Sequence, residues 1–177
     1  MDEAAIRRQL AVIGEVRAVS ARLGIEVWLR GGWAMDFYLG RVTRDHEDVD
    51  WFAWADDAAA LGAALAELGH RTVLGPPPEQ QLDLVRDGVE LSFAWLARDA
   101  AGTVVVAGGP AAGERWVQGM LEGGEGQIGT ISCRVISAQA QIEIKRMMPV
   151  WVPRFPRRRK DEEDIARLRA ALPGSRP

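Results

Sequence analysis

Residues 28–54, WLRGGWAMDFYLGRVTRDHEDVDWFAW, decide how this chain is read. Ile25 to Arg30 is apolar and rich in strand formers, and it stops at Gly31-Gly32. Trp33 to Leu39 carries helical spacing, with Gly40 placed as its C-terminal stop. A polar loop, Arg41 to Glu47, leads to a second strand that begins Asp48-Val49-Asp50. Alternate side chains of a strand share a face, so Asp48 and Asp50 project together while Val49 turns to the core. Two neighbouring carboxylates repel unless a cation sits between them, and hard divalent ions such as Mg²⁺ prefer oxygen ligands of this kind.

A D-x-D pair alone is a weak signal, because strand starts often carry acids. A strand ending in Gly-Gly before a short helix, followed by D-x-D on the next strand, is much rarer. Glycines let a phosphate approach the backbone, and a helix N-terminus offers unpaired N–H groups to an anion. Triphosphate at Gly31 and Gly32 and metal at Asp48 and Asp50 would be neighbours, which is a nucleotide-handling arrangement. Arg44, in the loop before the aspartates, reads either as a phosphate contact or as a solvated arginine. His46 reads as a hydrogen-bonding loop residue, since oxygen-preferring metals do not favour imidazole. His70 reads as a capping or exposed residue.

Working outward, residues 3–23 form an amphipathic helix closed by Gly24, which is expected to cover one face of the sheet. Asp56 is placed to cap a helix running to Leu68, and Arg71 to Leu74 suits a short strand. Gly75 to Pro78 makes a stiff loop. Leu82–Arg86 and Val89–Leu96 flank Asp87-Gly88, a strong hairpin signal, with Glu90, Ser92 and Ala94 on one face of the second arm. Thr103 to Ala107 suits another strand. The glycine-rich segment from Gly108 to Gly129 reads mostly as loop bordering a pocket. Thr130 to Ile136 suits a strand, and Ala138 to Met148 a helix capped by Ser137 and ended by Pro149. Asp161 to Leu172 forms a last amphipathic helix, with Asp161 and Asp164 as acids favoured by its dipole. Pro173 to Pro177 is a frayed tail.

The pattern implies an α/β (α+β) fold: a mixed sheet flanked by helices, with a small C-terminal helical part. Residues 1–110 would be the core and 111–177 a strand and helix extension packed on it, in one unit. The chain has 177 residues and a formal net charge of −3, so any nucleic acid or anionic surface must be met by a local patch. The run from Arg154 to Lys160 is the one such patch, and runs of this kind are more often solvated. The single Cys133 excludes an intrachain disulfide and suits a reducing cytoplasm. The charged start is unlike a signal peptide, and no apolar run approaches the ~20 residues of a membrane span.

Gly31-Gly32-Trp33, Leu39-Gly40-Arg41, Thr43-Arg44 and His46-Glu47-Asp48-Val49-Asp50 resemble the antibiotic nucleotidyltransferases of the DNA polymerase β-like superfamily. The likeness is nearest to the aminoglycoside 2''-adenylyltransferases, then to the lincosamide nucleotidyltransferases. It is strongest over Trp28 to Asp50. The resemblance implies a Mg²⁺-dependent enzyme that moves AMP from ATP to a hydroxyl of an aminoglycoside-like antibiotic. It also implies a third carboxylate on a later strand, and the matching place in GVELSFAWL is Glu90, where the family commonly has aspartate. Glu90 would ligate metal or act as general base, with Asp83 as the substitute in a shifted register. Lysines in similar C-terminal contexts hold nucleotide phosphates, which points to Lys145 and less to Lys160. Trp33, Trp95 and Trp116 are candidates for a cleft wall, and Glu122, Glu125 and Asp87 for acids facing a cationic acceptor. Two rival readings are the same fold acting on tRNA or protein, and a nucleotide-binding module without turnover.

Overall fold

A computed structural model of the chain describes residues 1–152, 155–172 and 174. Arg154 of the basic run and all of the Pro173–Pro177 tail except Gly174 lie outside the described residues. In chain order the elements are α1 (Glu3–Leu23), β1 (Val27–Arg30), α2 (Gly31–Leu39), β2 (Asp48–Trp54), α3 (Ala58–Glu67), β3 (Arg71–Thr72), β4 (Gln81–Arg86), β5 (Val89–Arg98), β6 (Val104–Val106), β7 (Glu125–Ile128), β8 (Ile131–Arg134), α4 (Ala138–Trp151) and α5 (Arg159–Ala171).

Six strands make one mixed sheet in the order β1-β2-β5-β4-β3, with β6 beside β5. β2 and β5 run parallel at its centre, while β1–β2, β4–β5, β3–β4 and β5–β6 are antiparallel. The opening strand–helix–strand therefore differs from a βαβ unit, because β1 and β2 run in opposite directions. β7 and β8 form a separate antiparallel pair, so the glycine-rich segment holds a strand where loop was expected. The Asp87-Gly88 turn joins β4 to β5 as anticipated. Both residues have positive φ, 50° and 74°, the conformation that lets a two-residue turn follow the strands' twist.

Burial alternates along β5: Val89, Leu91, Phe93 and Trp95 are buried, and Glu90 and Ser92 turn to the other face. The apolar set packs with Val49, Trp51 and Ala53 of β2, with Ile13 and Val16 of α1, and with Leu61 and Leu65 of α3, in one continuous core. The opposite face of the central strands carries Asp48, Asp50, Glu90 and Ser92, and that face positions the site.

Several boundaries differ from the sequence reading for local reasons. α2 begins at Gly31 itself, so the glycines are its first turn and not a separate loop. Asp56 lies in a 3₁₀ turn, Ala55–Asp57, and does not cap α3 with its side chain. α4 continues through Pro149 to Trp151; a proline this near the end removes only one ladder bond before the helix stops. Trp33 and Trp95 are core residues, 1% and 3% exposed. Their indole N–H groups are satisfied inside the protein, by Gln9 Oε1 at 3.2 Å and by the Pro78 carbonyl at 2.9 Å. His70 is also buried, its Nε2 2.6 Å from Glu15. Among the described residues no helix is long and apolar enough to cross a membrane.

Candidate active site

The parallel register of β2 and β5 pairs Asp48 with Glu90 and Asp50 with Ser92. The antiparallel register of β1 and β2 pairs Arg30 with Asp50. Register partners share a sheet face, so Arg30, Asp50 and Ser92 form one row across three strands, and Asp48 and Glu90 form the next. Glu90 is thus the acid that the sheet sets directly across from Asp48. Asp83 pairs with Ser92 from β4, on the far side of β5 from Asp50, and its carboxylate takes the Gln81 amide at 2.6 Å. The register sets Glu90, and not Asp83, directly beside Asp48.

Asp50 is half-buried and held. Its Oδ1 accepts from Ser92 Oγ at 2.7 Å and from Arg30 Nη2 at 3.1 Å. Asp48 keeps an exposed edge at the start of the strand. Its carboxyl is nevertheless pushed up to about 6, first by burial among the atoms around it and then by the charge of Asp50, against the pull of Arg30 and Lys160. Two acids strained by mutual repulsion suit a small divalent cation, and Mg²⁺ is commonly held by one or two carboxylates with waters and substrate phosphates completing its shell. The expected convergence of three acids is not preformed. Among the described residues no group of three His, Cys, Asp or Glu side chains is close enough to hold an ion. Glu90 is exposed at the strand's start.

Gly31 and Gly32 have a packing role beside any role toward phosphate. A Cβ on Gly31 would stand 2.6 Å from Asp50 Oδ2, and φ there is +71°. A Cβ on Gly32 would overlap the His46 ring and come within 2.8 Å of Arg44 Nη2. The two missing side chains therefore make room for the acid and for the loop that delivers it, at the N-terminal end of α2.

That loop is fixed by a buried polar chain. Asp36 of α2 accepts from Thr43 Oγ1 at 2.6 Å and from the Thr43 amide at 3.0 Å, and it meets His46 Nε2 at 2.6 Å. Arg44 Nη1 lies 3.0 Å from His46 Nδ1. A guanidinium only donates, so Nδ1 is the acceptor and the ring carries its proton on Nε2, facing Asp36. The His46 ring also lies against Trp33, with centroids 4.6 Å apart. Arg44 then reaches Asp164 of α5 with Nε at 3.1 Å and Nη2 at 2.8 Å. Its remaining nitrogen also serves the Asp45 carbonyl, at 2.9 Å. Four of the five N–H groups of Arg44 have partners inside the protein, so it supports the loop before β2.

Lys145 is drawn into the same knot. Its Nζ sits 2.9 Å from Asp164 Oδ2 and 3.9 Å from Asp161. Asp164 is fully buried and ion-paired, beyond the helix-dipole role expected of it. Burial pulls its carboxyl up, but hydrogen bonds from Arg44 and the charge of Lys145 outweigh this and hold it down at about 2. Three members of the basic run face acids: Arg158 pairs with Asp161, Arg159 with Glu163 and Lys160 with Glu47. Sequence reasoning missed Arg30, Asp36, Ser92 and Asp164. Only Arg30 and Ser92 left a signal, their even spacing from the face-sharing Trp28 and Glu90.

Beyond Asp50 on the same face, Phe52 meets Trp116 edge-on at 4.9 Å, and Trp116 meets Trp151 at 6.5 Å. Trp116 borders two open grooves. One, of about 460 Å³, is lined also by Gln139, Glu143 and Trp151. The other, of about 610 Å³, is lined also by Arg98, Arg115 and Glu122. Of the three acids considered for an acceptor, Glu122 alone lines either groove. Asp87 is in the β4–β5 turn, and Glu125 accepts from Ser132 on the small sheet.

Comparison with known proteins gives this geometry its setting. A 2''-aminoglycoside nucleotidyltransferase of Escherichia coli is 34% identical over 98 residues, 52% of each chain, and one of Klebsiella pneumoniae matches equally. The alignment thus spans about half the length of these curated relatives. The crystal structure of ANT(2'')-Ia in complex with adenylyl-2''-tobramycin superposes with a TM-score of 0.73 at 26% identity, covering 94% of this chain and 90% of that one. The lincomycin-bound lincosamide antibiotic adenylyltransferase LnuA shares the fold, with a TM-score of 0.70 at 18% identity over 89% and 94% of the two chains. The aminoglycoside-2''-adenylyltransferase family model matches residues 12–168, nearly the whole of the fold just described, and the chain belongs to that family.

Proposed function

We propose that this protein transfers AMP from ATP to a hydroxyl of an aminoglycoside-type antibiotic, in a Mg²⁺-dependent reaction in the cytoplasm. The observation that carries the reading is the register: Asp48 and Asp50 on one face, Glu90 directly beside Asp48, and the N-terminus of α2 next to Asp50.

Asp48 and Asp50 would hold the metal. Mg²⁺ held there would supply the positive charge that offsets the phosphates. Glu90, exposed and directly across from Asp48, would take the proton of the acceptor hydroxyl or complete the ligand set. The amides of Gly31 and Gly32, at the positive end of α2, receive phosphate oxygens. Lys145 spends one of its three N–H donors on Asp164 and keeps others for the nucleotide. Arg44 serves the nucleotide side by holding the loop that carries Asp48. Trp116 offers a flat apolar wall to a sugar ring of the acceptor.

A screen of aminoglycosides, lincosamides and plain sugars with ATP and Mg²⁺, read by mass, is expected to show one adenylyl group added to an aminoglycoside. No adduct and no pyrophosphate release across the panel would reject the reading in favour of a nucleotide-binding module. The rival tRNA or protein acceptor would draw on the basic run, in which Arg158, Arg159 and Lys160 each face an acid.

A further inference from the structure

Among the described residues, Arg30 is the cation that the fold places directly on Asp50. It is the last residue of β1 and lies opposite Asp50 in register. Its Nη2 donates to Asp50 Oδ1 at 3.1 Å and lies 3.4 Å from Ser92 Oγ. Its guanidinium carbon stands 5.0 Å from the centre of the Phe52 ring. The side chain is 18% exposed, yet its Nε is buried with no hydrogen-bond partner among the described residues.

That geometry is not what an arginine with a purely architectural task adopts. A guanidinium that only locks two strands uses its planar fork, with two parallel bonds to one carboxylate and its remaining donors satisfied. Arg44 does so with Asp164 in this same protein. Arg30 instead touches Asp50 through a single nitrogen and leaves a buried donor unmet. The contact is electrostatically favourable and geometrically poor, so it is a contact that can be exchanged. It also falls on the oxygen that Ser92 already engages, leaving Oδ2 beside Gly31.

We infer that Arg30 is a resident counter-ion of Asp50 that a divalent cation must dislodge or share with. The guanidinium supplies the positive charge that the paired acids need while the site is empty. It thereby weakens metal binding to the free protein and couples metal loading to arrival of the nucleotide, whose phosphates give the released guanidinium a new anionic partner. Arg30 is in this sense a positioning residue. The inference rests on the reading of Asp48 and Asp50 as metal ligands.

The test is Mn²⁺ binding to the nucleotide-free protein, followed by the electron paramagnetic resonance of free Mn²⁺. Arg30→Met keeps the apolar stem on Phe52 and removes the charge; Arg30→Lys keeps the charge. Loss of a cation about 3 Å from the carboxylate is expected to tighten Mn²⁺ binding by about tenfold or more in Arg30→Met, and to leave Arg30→Lys near the wild type. Adding Asp50→Asn to Arg30→Met should abolish the gain. Unchanged or weaker binding in Arg30→Met overturns the inference, as does a gain that survives Asp50→Asn. Arg30→Gln repeats the measurement if the methionine variant does not fold, with the same two outcomes. If Asp48→Asn and Asp50→Asn leave Mn²⁺ binding of the wild type unaltered, the metal-ligand reading itself fails. If they weaken it and Arg30→Met does not strengthen it, only the role of Arg30 fails. A merely architectural arginine would lower the melting temperature when replaced and would not raise metal affinity.

Discussion

Asp164 takes both forks of Arg44, at 3.1 and 2.8 Å, across 120 residues of sequence. The acid is wholly buried, and Lys145 and Arg167 add to the same carboxylate. One charge near the C-terminus therefore sets the position of the loop that enters β2.

The first expectation concerns that acid. Asp164→Asn should destabilise the protein at pH 7 by roughly 3 kcal/mol, because it leaves buried cations without their counter-charge. The folded state holds the Asp164 proton more weakly than the unfolded chain, with a pKa of about 2 against an ordinary 3.8. Its stabilisation is thus complete above pH 3.8 and is lost as pH falls through about 2, an effect of about 2 kcal/mol. Urea unfolding of wild type and variant should show their stabilities drawing together by that amount between pH 4 and pH 2. A gap that stays constant over the range would contradict this assignment.

The glycines give the second. Gly31→Ala meets Asp50 Oδ2 and a backbone at φ +71°, so it should cost about 1–3 kcal/mol and disturb the acid as well. Gly32→Ala should act on the neighbouring loop, displacing His46 and Arg44. Thermal melting reads the stability cost. Nucleotidyl transfer should fall further in each variant than the lost stability explains, and wild-type turnover in either would count against the packing described.

The acids themselves give the third. Asp50→Asn should abolish adenylyl transfer while leaving the circular dichroism spectrum unchanged. Glu90→Gln should lower kcat by about 10²–10⁴-fold if Glu90 accepts the hydroxyl proton. Glu90→Asp, which keeps the charge, should retain most of the activity. Equal losses in Gln and Asp variants would show that reach, and not charge, is what Glu90 contributes.

Trp116 gives the fourth. It borders both grooves and packs against Phe52 on the strand of the acids. Trp116→Ala should raise KM for the acceptor more than it lowers kcat, the mark of binding lost equally in ground and transition states. An unchanged acceptor KM would remove Trp116 from the cleft.

What could be read from the chain followed from strong local rules. The Asp87-Gly88 turn and the alternation from Val89 to Trp95 are local signals, whereas Glu90 is singled out by the family resemblance, and the fold's register pairs it with Asp48. The features that escaped depend on distant partners. Asp164 looks solvated in an amphipathic pattern, because nothing near it in sequence announces Arg44. Trp33 and Trp95 were assigned to a cleft on side-chain chemistry, while burial had claimed them. β7 was hidden because Glu125–Ile128 is glycine-containing and takes its strand form from β8. Arg30 passed as the end of an apolar run, since its meaning lies in a register that only the folded sheet defines.

The Arg44–Asp164 tie also has a consequence in time. A ribosome adding about 5–20 residues per second releases the arginine roughly ten seconds before its acid. Through that interval the entry to β2 carries a cation without the acid that holds it in the finished fold. Synthesis must run almost to the last helix before the acids near the beginning can be held in place.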